Sequence, residues 1–88
     1  MKLKETVEMM VSDDYKERFK AEYYQLKERY EKLKKLNTRI ELAKLVPGVE
    51  VIRPEHDCPD DMLKSQQQVM LEYLDILECR AIIENIEL

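Results

Sequence analysis

From Ser12 to Leu45 the chain runs without a glycine or a proline. Along that run Phe19, Tyr23, Leu26, Tyr30, Leu33, Asn37 and Ile40 recur at alternating spacings of four and three, a heptad seam on one long α-helix. A helix of about 30 residues is roughly 45 Å long, which is long for so small a chain. Asn37 is the one polar intruder in the seam, a device that fixes register or oligomer state at some cost in stability. Ser12-Asp13-Asp14 reads as the start, with Ser12 as N-cap and both aspartates opposing the positive end of the helix dipole. Ahead of it, Leu3, Val7, Met10 and Val11 make a stripe on a short helix.

Val46-Pro47-Gly48 ends the run, because proline biases the preceding residue away from helical dihedrals and glycine supplies a turn. Val49 to Ile52 reads as extended, and Arg53-Pro54-Glu55-His56 as a second bend. Asp57-Cys58-Pro59-Asp60-Asp61 then has the form of a helix start, with Asp57 or Cys58 as cap. The expected architecture is all-α, a single domain over 1–88. A short helix (1–11) precedes a long antiparallel helical hairpin: a long helix (13–45), a connector (46–58) and a second long helix (59–87). In the last helix one seam, Leu63, Gln66, Met70, Tyr73 and Leu77, is expected to pack on the first arm. Val69, Ile76 and Ile83 form another seam on a neighbouring face. A two-helix hairpin covers one of these, so the other predicts a subunit interface and an oligomer.

Composition narrows the function. Eighty-eight residues make one domain at most. No apolar run approaches the roughly 18 residues of a membrane span, and Met1 to Glu5 lacks the apolar core of a signal peptide. Cys58 and Cys79, with no CxxC and one histidine in the chain, argue against a zinc framework or a disulfide scaffold and for free thiols in a reducing cytoplasm. No metal or cofactor is expected. The net charge of −4 is uneven: residues 1–45 hold 12 Lys/Arg against 9 Asp/Glu, and residues 46–88 hold 3 against 10. Such a chain is not expected to coat DNA, although its basic half suits a small anion. Catalysis finds no support, since there is no glycine-rich phosphate loop and the pairs Asp13-Asp14 and Asp60-Asp61 sit where capping explains them. No nucleophile with an orienting partner accompanies His56.

The first arm interleaves bases with aromatics: Tyr15, Arg18, Phe19, Lys27, Tyr30 and Lys34 belong to a stretch of sixteen residues and its flank that holds every aromatic but Tyr73. Aromatic faces stack bases, and neighbouring cations hold phosphates. On spacing alone, seam packing and solvated pairs such as Glu28/Lys32 and Glu31/Lys35 account for most of the pattern.

The stretch from Tyr15 to Leu36, together with that from Leu63 to Ala81, resembles the two arms of a helical hairpin common in tailed phages, the anti-CBASS cyclic-nucleotide sponges. The resemblance covers nearly the whole chain. It implies a non-catalytic protein of the host cell cytoplasm that assembles into hexamers and sequesters cyclic di- and trinucleotide messengers of bacterial immunity. In related hairpins an aromatic is followed by Tyr eleven residues later and by a basic residue four further on, a spacing that Phe19, Tyr30 and Lys34 match here. The proline-rich stretch usual between the first two is replaced by Ala21-Glu22-Tyr23-Tyr24, so Tyr15 is an alternative to Phe19 as the stacking residue. Arg18 or Lys27 would join Lys34 at the phosphates. The competing reading is a helical adaptor or inhibitor that binds a host protein through its acidic last helix.

Overall fold

The computed structural model describes residues 1–46 and 56–88. A 3-10 turn, Leu3–Thr6, leads into a single-turn helix α1, Val7–Met10; α2 is Tyr15–Leu45 and α3 is Asp60–Ile83, with no strand among the described residues. The expected turn at Pro47-Gly48, the extended Val49–Ile52 and most of the second bend lie outside the described residues.

Three of the expected helix starts and stops are shifted by local chemistry. Ser12 is still in the turn out of α1, where its N–H donates to Met9 O (3.3 Å). Asp14, with extended backbone, is the N-cap of α2, and its Oδ1 accepts from Lys16 N (3.0 Å). Ser12 Oγ supports the cap one step back by accepting from Asp14 N (3.1 Å). Pro59, rather than Asp57 or Cys58, occupies the N-cap position of α3, and Asp60 and Asp61 fill the first turn. The C-terminal end is a Schellman motif, which stops the helix three residues short of Ile86. Asn85 adopts φ 60°, Ile86 N donates to Ala81 O (2.8 Å), Asn85 N donates to Ile82 O (3.4 Å), and the Ile86 side chain tucks back into the core.

The arms are antiparallel, as ties from α2 meet α3 in descending order. Tyr23 Oη donates to Glu78 Oε1 (2.7 Å), Asn37 Nδ2 donates to Leu63 O (3.1 Å) and Gln67 Oε1 (2.8 Å), and Lys44 Nζ meets Asp60 Oδ2 (2.8 Å). Asn37 is buried, so it sets the register of this hairpin from within. The α2 seam packs as expected at Phe19, Tyr23, Asn37 and Ile40. On α3 the buried row is Leu63, Leu74, Leu77 and Ala81, with Gln67 and Met70 half-buried between them, whereas Gln66 and Tyr73 are exposed. The expected seam was therefore one residue off at two positions. Gln67 is drawn inward because its amide oxygen is the partner of Asn37.

Phe19, Tyr23, Leu74, Leu77, Ala81 and Ile86 form one core cluster at the end of the hairpin remote from the connector. The N-terminal segment is held there by a residue outside its expected stripe: Thr6 is fully buried, while Val7 and Met10 are about half exposed and Val11 more so. Thr6 Oγ1 donates to Leu3 O (2.6 Å) and accepts from Gln25 Nε2 (2.9 Å), so a hydroxyl is buried with both roles filled. The other expected seam lies open in the single chain, with Val69 60%, Ile76 58% and Ile83 81% exposed.

Candidate functional site

Tyr15, Arg18, Glu22, Gln25 and Arg29 follow one another at spacings of three and four on α2, one polar stripe beside the buried seam. Arg80 comes up from α3 to face them, because the antiparallel register sets it over Phe19, its guanidinium carbon 4.9 Å from the ring centroid. Met10 from α1 closes one side, and Gln25 Nε2 reaches its sulfur (3.3 Å). Together these residues line an open cleft of about 510 Å³.

The cleft holds three guanidiniums, and each is prepared differently. Arg18 Nη1 donates to Ser12 O (2.6 Å), so the loop before α2 fixes it. Arg80 is gripped by Glu84 through Nε (2.8 Å) and Nη2 (3.4 Å), and this contact raises its affinity for its proton. Arg29 makes no ion pair among the described residues. Tyr15 is about half exposed, an aromatic ring offered at the mouth. Glu22 is the single carboxylate, and Tyr73 Oη donates to its Oε1.

The six residues singled out in the sequence fall in three places. Tyr15, Arg18 and Phe19 meet in this cleft, but Phe19 is 5% exposed and forms its floor beneath Arg80. Of the two stacking candidates, Tyr15 is the one with an open ring. Tyr30 and Lys34 belong to a separate groove of about 770 Å³ with Lys32, Lys35 and Arg39. Lys27 stands over the Tyr23 ring (5.9 Å) beside a small hollow that it shares with Tyr24. From Tyr15 to Lys34 the rise along α2 is about 28 Å, so one chain does not bring the two together. Sequence reasoning missed Arg80 and Glu22. Arg80 did leave a trace, as one of only three basic residues in the acidic half.

Elsewhere, His56 Nε2 lies 3.1 Å from Asp60 Oδ1 and its Nδ1 2.6 Å from Cys58 O, a latch at the start of α3. Cys58 and Cys79 are free thiols. No group of three metal-binding side chains occurs among the described residues, and no helix among them is long and apolar enough to cross a membrane.

Fold and cleft together define a small helical hairpin with a basic, aromatic-edged cleft. The chain matches the family model described as Sequestin over residues 13–83 and belongs to that family. The match begins just before the Asp14 cap and ends at the last residue of α3, so it spans both arms and the whole cleft except Met10. Neither a curated protein nor a solved structure matches the chain.

Proposed function

We propose that this protein is a phage sponge for cyclic di- and trinucleotide messengers, binding them without cleavage in the host cytoplasm so that CBASS effectors never meet their activator. The observation that carries this is the cleft itself: three arginines and an open tyrosine gathered in a chain of net charge −4. The family description, whose word denotes sequestering, supports the same reading.

Magnitudes favour a pocket shared between copies. Nanomolar capture requires about −12 kcal/mol. A stacked base contributes roughly 1–3 kcal/mol and a charge-assisted phosphate contact about 1.5–3 kcal/mol. One open helix face does not reach the total against the lost freedom of the ligand. The Lys34 groove of a second copy, brought over the Tyr15 cleft of the first, supplies the missing contacts. The open row Val69, Ile76 and Ile83 supplies an apolar surface for such an assembly, a hexamer in this reading.

Calorimetry with a cyclic dinucleotide, then heat denaturation and chromatography of the released ligand, tests both halves. Binding at micromolar concentration or tighter with intact ligand recovered is the expected result, and Lys34→Ala should weaken it about ten- to a hundredfold. Absence of heat, or a linear product, overturns the proposal. Capture of a host protein with no nucleotide response would favour the adaptor reading instead.

A further inference from the structure

A pocket that only had to hold phosphate would have no use for a carboxylate, yet Glu22 sits in the middle of the arginine stripe, between Arg18 and Arg29 and across from Arg80. Its Oε1 is occupied by the Tyr73 hydroxyl, while Oε2 has no partner among the described residues. Tyr73 reaches it from α3, so the carboxylate is anchored by a contact that spans both arms. An ionised carboxylate is an acceptor only, with lone pairs to spare on both oxygens.

We infer that Glu22 reads a base edge, and that the base is guanine. This rests on the nucleotide reading above. Guanine carries two adjacent donors, N1–H and the N2 amino group, which a carboxylate accepts side by side. Adenine sets a single amino group beside the N1 lone pair, cytosine sets its amino group beside the N3 lone pair, and uracil flanks one N–H with two carbonyls. Each of these turns at least one lone pair toward the carboxylate, which repels it. The arginines complement the choice, since the O6 and N7 acceptors of guanine suit a guanidinium fork. Tyr15, at the mouth, offers its ring for stacking, and the remaining guanidinium donors face the phosphates.

The test is a titration of the full-length protein with cyclic di-GMP, cyclic GMP-AMP, cyclic di-AMP and cyclic di-UMP, repeated with Glu22→Gln. The wild type should bind the guanine-containing ligands at least about tenfold more tightly than the other two. Glu22→Gln should weaken cyclic di-GMP about tenfold. It should also tighten cyclic di-AMP, because a negative charge beside the phosphates is removed. Equal wild-type affinity for all four ligands, or uniform tightening of all four by the substitution, overturns the role of Glu22 while leaving the sponge reading intact. No binding of any of them overturns both. Should the variant fail to fold by circular dichroism, the wild-type series decides alone.

Discussion

Tyr23 shows how one side chain can serve both core and charge balance. Its ring is buried in the cluster between the arms, and its hydroxyl donates to Glu78. Burial first, and then the hydrogen bond to the Glu78 carboxylate, pushes its pKa up to about 12 from an ordinary 10.0. Because the folded value is the higher, the unfolded chain loses this proton first as pH rises. The stabilisation is therefore complete below about pH 10 and drains away between about pH 10 and 12. Urea melts at pH 8 and 11 should show about half of the full loss, roughly 1–1.5 kcal/mol. Tyr23→Phe should flatten the alkaline decline while costing about 1–2 kcal/mol at pH 8, where the hydrogen bond is intact. Asn37 is the other residue whose polar group works inside the packing. Asn37→Ala should lower stability by roughly 1–3 kcal/mol in the same assay, since it strips the buried Leu63 carbonyl and the half-buried Gln67 amide of their donor.

Among the elements, α2 was legible in advance because its apolar residues occupy one face and nothing breaks the run. The α3 register was not. Its apolar residues lie nearly all round, so two neighbouring stripes share Leu63, Met70 and Leu77, and periodicity cannot choose between them. The choice falls to a pairing thirty residues apart, Asn37 with Gln67. The cleft divided in the same way. Tyr15, Arg18 and Phe19 are neighbours along one helix and could be read together. Arg80 and the Tyr73–Glu22 pair exist only once the arms are set antiparallel in this register. The end of α3 depends on Asn85 in the left-handed region, where glycine is favoured over any residue with a Cβ. Asn85→Gly should raise the melting temperature by a few degrees, matching a gain of about 0.5–1 kcal/mol. Ile86→Ala should lower stability by on the order of 2 kcal/mol by emptying the site that the motif folds back to fill.

At the scale of the whole molecule the proposed assembly rests on the open row on α3. Ile76→Glu sets a charge in the middle of that row. Light scattering at micromolar concentration should find the wild type as an oligomer and the variant as a smaller species; a monomeric wild type contradicts the assembly. Circular dichroism should show the hairpin intact in both, because Ile76 contributes nothing to the buried cluster.

The two ends of the hairpin are fastened by different forces. Near the connector the arms add charge pairs, Lys44 with Asp60 and Lys64 with Glu41 (2.5 Å), to the buried Ile40 and Leu63, whereas the opposite end closes on the larger cluster of Phe19, Leu74, Leu77 and Ile86. Salt screens the first kind of fastening and leaves the second largely untouched. The rod therefore has a salt-soft end and a salt-hard end, and amide exchange in molar salt should quicken around residues 60–64 well before it does around 74–81. The cleft belongs to the hard end. On the proposed reading, nucleotide affinity should fall with rising salt as the ligand phosphates are screened from Arg18, Arg29, Arg80 and the Lys34 of a second copy, while the cleft within one chain stays formed.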